Sequence, residues 1–395
     1  MTRLRDALHD LAENAPRTDL TTRVTTRARH RRRVRLLTIP AVVTGVAAAT
    51  IAGSLLGATP GTAGRHTAAS HATKSPGLIP AGEPGPVQYA YLSWCGTAGL
   101  GGKPISGACA QWHLIGPGGK KVRVADGLGT FHGKAGTTMN GSAPLKINNM
   151  GTRIAYYRPA DEHFVVRDLL SGHVTVVNRR VPLSYIEKAG AELMFSGDGR
   201  RLAISFSTDQ PGHALLADTS SGAVQSLPGT WVTGLGKDAS TVTLSETGKD
   251  GTTTLVLSGP DGRIRGRVPL DPNVNLEGPG NLIAPDGHTL AALPGSEASV
   301  DGLAKPMNSV NLVDVRTGKT VATRRIHLPK KIADVADLEA WVSGSTVLVT
   351  APWPEAGSSG VRAYLADLNT GRTRVAGTLD PHSSQSETEF GGFGI

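Results

Sequence analysis

A five-residue turn recurs along the second half of this chain, and it limits the possible folds more than any other feature. The copies are Asp168-Leu-Leu-Ser-Gly172, Asp218-Thr-Ser-Ser-Gly222, Asp314-Val-Arg-Thr-Gly318 and Asp367-Leu-Asn-Thr-Gly371. Each reads D-x-x-[ST]-G, follows an apolar run and precedes another short one. Glycine supplies a positive φ, and the Asp and Ser/Thr side chains satisfy backbone groups of a tight turn. Recurrence at roughly 40–55 residues is the mark of a propeller or another repeat fold.

A second turn appears earlier in the units. It reads Ser196-Gly-Asp-Gly199 before Arg200-Arg-Leu-Ala-Ile204, and Ala284-Pro-Asp-Gly287 before His288-Thr-Leu-Ala-Ala292. Asp-Gly suits tight hairpins. From Val87 the pattern resolves into six units of short strands, and the two turns join strands A to B and C to D of a four-stranded blade. The expected fold is an all-β propeller of about six blades, with five or seven as alternatives. Unit one lacks an obvious innermost strand, and Glu387 to Ile395 is the segment able to supply it and close the ring. Trp231 and Trp341 are expected in inner strands, and Trp94 and Trp112 beside the cysteines.

The combination of [SP]-x-D-G-x-x-[LI]-A with [LV]-x-D-x-x-[TS]-G resembles the repeat of WD40-like and TolB-like β-propellers, over about Lys146 to Gly377. The resemblance implies four-stranded blades arranged radially around a channel. Unit four departs from it with Ser258-Gly-Pro-Asp-Gly262, and no unit ends in Trp-Asp.

The net charge of +9 is concentrated at one end. Residues 1–35 hold ten Arg against four acids, whereas residues 87–395 hold 29 basic and 27 acidic residues. The main domain is therefore close to neutral, which disfavours nucleic acid as a partner. Residues 36–58 carry no charge; as a helix they would rise roughly 34 Å, enough to cross a bilayer core. With arginines before it and few charges after, this segment reads as a membrane anchor with a cytoplasmic N-terminus and residues 87–395 outside. A cleaved signal peptide is the rival reading, disfavoured by the long leader and the long apolar stretch.

Gly45, Ala49, Gly53 and Gly57 form a small-residue stripe through which two such helices pack into a homodimer. The competing reading is chance in an Ala/Gly-rich span. Residues 59–86, rich in Pro, Gly, Ala, Ser and Thr, read as a linker. Cys95 and Cys109 are the only cysteines, and in an oxidising compartment they are expected to bridge.

The segment layout resembles that of actinobacterial membrane proteins with a basic cytoplasmic segment, one helix and an external sensor domain, some of which are anti-sigma factors. That resemblance implies a cytoplasmic protein partner at residues 1–35. No zinc-binding His/Cys signature accompanies it.

No nucleophile elbow, zinc-protease motif, P-loop or dinucleotide fingerprint occurs. Gly357-Ser-Ser-Gly360 is a Gly/Ser loop, and Asp161-Glu-His163 a polar hairpin tip. Asp198, Asp261 and Asp286 lack the spacing of a calcium loop. No cofactor, metal or catalytic set is expected. Trp353, between two prolines, is the candidate exposed binding aromatic.

Three functions fit. The first is a non-enzymatic binding module whose propeller face meets an envelope protein or ligand. The second is a signalling protein working through residues 1–35, and the third a hydrolase or lyase with its site in the channel.

Overall fold

The computed structural model describes residues 79, 85–93, 111–131, 141–206, 213–248, 251–276, 280–294, 308–329, 332, 335, 337–353, 360–378 and 385–391. All belong to the second of the chain's two compact units, Ser75–Ile395. The basic segment 1–35, the apolar segment 36–58 with its stripe at Gly45, Ala49, Gly53 and Gly57, and Cys95 and Cys109 lie outside the described residues. So does most of the linker 59–86. Among the described residues no helix is long and apolar enough to cross a membrane.

Short apolar runs bounded by Gly and Asp form six antiparallel four-stranded sheets. Blade 1 contains β1 (Tyr89–Ser93), β2 (Gln111–Ile115) and β3 (Lys121–Arg123). A hairpin of β4 (Thr130–Phe131) and β5 (Gly141–Ser142) follows. Blade 2 is β6 (Leu145–Ile147), β7 (Arg153–Arg158), β8 (His163–Asp168) and β9 (Val174–Arg180). Helix α1 (Leu183–Ala189) leads to blade 3, which is β10 (Glu192–Phe195), β11 (Arg201–Ser205), β12 (Leu215–Asp218) and β13 (Val224–Ser226). Blade 4 is β14 (Val232–Leu235), β15 (Val242–Thr247), β16 (Thr253–Ser258) and β17 (Ile264–Pro269). Blade 5 is β18 (Val274–Asn275), β19 (Thr289–Pro294), β20 (Ser309–Asp314) and β21 (Thr320–Arg325). Blade 6 is β22 (Asp337–Ser343), β23 (Thr346–Trp353), β24 (Gly360–Asp367) and β25 (Thr373–Thr378).

The last strand, β26 (Gln385–Phe390), returns to blade 1 as its innermost strand. It pairs antiparallel with β1, from Tyr89 opposite Phe390 to Leu92 opposite Glu387. Unit one was short of a strand because its inner strand lies at the other end of the chain.

Several details differ from the sequence reading. Blade 2 gains an inner strand, β6, whose three residues are too few to show a period. The inner edge of blade 5 is discontinuous: residues 281–284 bond β19 only at Leu282 and Ala284. The named pairing is at β18, and Ile283 touches the sheet only through an isolated bridge to Leu290. Helix α1 was not anticipated; Pro182 at its start and Gly190 (φ 67) at its end confine it to seven residues. Trp341 lies in inner strand β22 and is buried, whereas Trp231 precedes β14 and stays partly exposed. Trp112 is core, its indole N–H donating to the Ala143 carbonyl.

The core lies in layers between neighbouring blades. Tyr157, Phe164 and Val166 of blade 2 pack with Phe195, Leu202 and Ile204 of blade 3. Leu290 and Val313 of blade 5 pack with Trp341, Val347 and Tyr364 of blade 6. Each such side chain contributes about 1.5–3 kcal/mol when fully buried. The fourth strands of blades 4 and 5 are mostly exposed, mixing arginines and threonines with the exposed Ile264 and Val321.

Truncation after Thr378 removes β26 and uncovers the inner edge of β1. The expected result is a loss of about 3 kcal/mol of stability, because it also removes Glu389, the carboxylate ion-paired with the buried Lys146. An unchanged thermal midpoint for the truncated protein would refute closure by this strand.

Candidate functional site

The recurrent Asp residues act on their own turns. One Asp218 carboxylate oxygen accepts the Ser220 and Ser221 backbone N–H groups at 2.9 and 3.0 Å, and the Ser220 hydroxyl at 2.6 Å. The Ser220 hydroxyl, with the backbone donors, holds this carboxyl well below its usual range. Asp168 accepts the Leu170 and Ser171 N–H groups, Asp314 that of Arg316, and Asp367 those of Asn369 and Thr370.

The glycines have a second role. Gly222 (φ +73) lies so close to blade 2 that a Cβ on it would stand 2.0 Å from the Val176 carbonyl oxygen. Its own carbonyl accepts the Asn178 N–H at 2.8 Å. Gly318 accepts from Asp271, which follows β17, at 3.1 Å, and Gly371 accepts from His327, which follows β21, at 2.8 Å. Each of these turns therefore joins its blade to the preceding one. Sequence reading saw the turn and missed the junction, because the partner strand lies tens of residues upstream.

Inner strands are also tied one to the next. Asp198 N–H donates to Lys237 O, Leu282 N–H to Thr233 O, and Trp341 N–H to Asn281 O. The Asn281 side chain accepts the Leu235 N–H at 3.0 Å and donates to the Leu235 carbonyl at 2.7 Å. Its amide also reaches the Phe195 carbonyl at 3.4 Å. One asparagine thus spans blades 3, 4 and 5.

The inner strands also carry a buried charge cluster. Lys146 of β6 is ion-paired with Glu389 of β26. Burial would lower its pKa, but the attraction of Glu389, Glu339 and Glu192 outweighs that and holds the ammonium above the ordinary lysine value. The three carboxylates come from blades 1, 6 and 3, so the cluster binds the closing strand to the ring.

At the end of the channel marked by the A–B turns lies a cavity of about 420 Å³. Five blades line it. Met150 and Asn149 come from blade 2, Gly197 from blade 3, Leu235 and Lys237 from blade 4, Ile283 and Pro285 from blade 5, and Trp341 and Val342 from blade 6. Asn149 donates across the opening to the Trp341 carbonyl at 3.2 Å. The indole N–H of Trp341 is buried without a partner. Among the described residues the lining is mostly apolar, with the amides of Asn149 and Asn281, the Lys237 cation and the Ser343 hydroxyl as its polar side chains. Such a lining is complementary to an apolar group with a neutral or anionic polar end.

The polar hairpin at Asp161-Glu-His163 is engaged in structure. Asp161 pairs with Arg158, and Glu162 with Arg180 and the Leu183 N–H at the start of α1. Asp198, Asp261 and Asp286 each accept a backbone N–H within their own turn. Among the described residues no group of three or more His, Cys, Asp or Glu is placed to hold a metal ion. Trp353 falls in β23, and Gly357 to Ser359 lie outside the described residues.

No family model and no curated protein sequence matches this chain. Among solved structures it is similar to TolB from Acinetobacter baumannii, with 14% identity and a TM-score of 0.44 over 77% of this chain and 66% of that one. It is also similar to hydrazine synthase from Kuenenia stuttgartiensis, with 16% identity and a TM-score of 0.39 over 62% of this chain and 68% of that one. A chain of a nidogen/laminin complex aligns with 12% identity and a TM-score of 0.40 over 76% of this chain and 97% of its own length.

Two measurements test the electrostatics. Lys146→Met removes the ammonium that Glu389, Glu339 and Glu192 face and should cost about 3 kcal/mol. Adding Glu389→Gln should recover part of that loss in urea unfolding; equal losses for the single and double variants would show that the two residues are not coupled. Asp218 has a depressed folded pKa, so its contribution is present above the unfolded value of 3.8 and fades as pH falls below it. Asp218→Asn should lower stability at neutral pH and flatten the decline below about pH 4, checked by urea midpoints across that range.

Proposed function

We propose that this protein is a membrane-anchored, non-enzymatic binding module whose propeller engages an envelope protein or ligand at the channel mouth. The observation that carries this reading is the cavity of about 420 Å³ walled by apolar side chains from five blades. Strands of five blades converge there, with Asn149, Lys237 and Ser343 placed to orient a guest. The charge-free segment 36–58 behind ten arginines supports placement at the cell membrane with the propeller outside.

A second reading is favoured by the stripe at Gly45, Ala49, Gly53 and Gly57. In it, ligand binding outside changes the pairing of two apolar helices and is reported to a cytoplasmic protein through residues 1–35.

A crosslinked pull-down of the tagged full-length protein from native membranes separates the two. Copies lacking residues 2–30 and copies carrying Met150→Asp with Lys237→Glu are run beside it. On the binding-module reading, envelope partners survive the deletion and fall at least about tenfold with the mouth substitutions, the scale expected for losing a central contact. Partners that vanish with residues 2–30, above all a transcription factor, would establish the signalling reading instead.

A further inference from the structure

Opposite charges are separated radially in this domain. Carboxylates are committed near the axis and in the turns: Glu192, Glu339 and Glu389 face Lys146, while Asp168, Asp218, Asp314 and Asp367 hold their own turns. The outer strands hold the counterpart. The fourth strands β3, β9, β13, β17, β21 and β25 contain no Asp, no Glu and no aromatic residue, and all but β13 carry Lys or Arg. A nearly neutral domain therefore has a basic outer edge.

The edge is most basic where blade 5 meets blade 6. His327 N–H donates to the Gly371 carbonyl at 2.8 Å, the Thr373 hydroxyl donates to the His327 carbonyl at 2.7 Å, and His327 forms a parallel bridge with Arg372. The stretch 324–327 thus runs beside 371–374 and brings the backbones of Arg324 and Arg325 alongside those of Arg372 and Arg374. All four residues are exposed. Elsewhere on the edge Arg180 is paired with Glu162, and Arg267 with Glu246. Among the described residues, the four arginines of this junction have no ion-pair partner. Like charges so gathered repel one another, and an anion laid along them relieves that repulsion.

We propose that this junction binds a linear polyanion whose charges are phosphate groups. The planar fork of arginine matches phosphate oxygens in pairs. The outer strands lie on the convex side of the ring and face different directions, so a flat bilayer cannot meet two blades together, whereas a flexible chain follows both. Val321 and Val375 are the exposed large apolar side chains of β21 and β25, too little for the apolar centre of a protein interface. With no aromatic side chain on these strands to stack on, nucleic-acid bases go unread. The charge of the chain is what the junction recognises, and this holds whether or not a guest enters the channel mouth.

The test treats the full-length protein with phenylglyoxal, which modifies accessible arginines, with and without inorganic polyphosphate. Each arginine is then read by peptide mass spectrometry. Polyphosphate is expected to protect Arg324, Arg325, Arg372 and Arg374, and to change little at Arg200 and Arg316, which are exposed but stand beside Asp198 and Asp314. Four phosphate contacts give a salt slope of about −3, so the polyphosphate needed for half-protection should rise roughly 50-fold between about 50 and about 200 mM salt. Arg324→Gln with Arg374→Gln should halve that slope and raise the half-protection point of the remaining pair about tenfold. Both positions are exposed, and an unchanged thermal midpoint verifies that the variant folds.

Equal protection of every exposed arginine, or none at these four, would overturn the proposal. So would stronger protection by polyglutamate at equal charge, which makes an acidic protein the occupant, or by phosphatidylglycerol vesicles, which makes it a membrane. Single-stranded DNA at equal phosphate should protect no better than polyphosphate; markedly better protection would mean that bases are read. If polyphosphate leaves the parent unprotected and the double variant self-associates, the arginines serve only to keep the outer strand edges from pairing.

Discussion

The ring depends on how closely neighbouring blades bring their backbones together. At the outer turns a glycine of one blade lies against a carbonyl of the previous one, and at Gly222 and Gly318 a single added carbon would sit 2.0–2.1 Å from that oxygen. Near the axis the approach is tighter still, because a Cβ on Gly280 would fall on the Glu339 carbonyl of blade 6. Beside the outer turns run backbone hydrogen bonds between sheets, Asn178 N–H to Gly222 O and Asp271 N–H to Gly318 O, and these do not vary with the side chains that fill the core. They set the spacing at which the apolar layers between blades then pack.

That constraint explains what the sequence disclosed. Its turn motifs are local, and Asp218 with Ser220 and Ser221 satisfies a turn without help from elsewhere. Blade number and most strands could be read from them. The inner strands were harder. β6 has three residues, and in blade 5 the chain keeps only β18 and an isolated bridge at Ile283. Inner strands are held by neighbours on several sides, so their composition carries weak periodicity.

The mouth was legible in place and not in chemistry. Its lining falls at the A–B turns, with Leu235, Ile283 and Val342 each just before one, but the side chain each blade supplies there follows no rule. Asn281 reaches Leu235 and Phe195, 46 and 86 residues away along the chain. Lys146 is similar: alone it is one lysine in a short apolar run, and its meaning depends on Glu389 of the final strand. A repeat motif reports what every blade has in common, whereas a site is made from the positions at which blades differ.

Blade 1 combines the domain's earliest strands with its latest, Tyr89 lying opposite Phe390. A pairing of such sequence separation forms slowly, because nearly the whole domain must be ordered before it is rewarded. Until β26 is delivered the chain is an open arc with an uncovered sheet edge on β1, and Lys146 lacks Glu389. The act that completes the ring also ties its two ends together. Fraying from either terminus, the usual route by which a repeat array comes apart, then has no free end from which to begin.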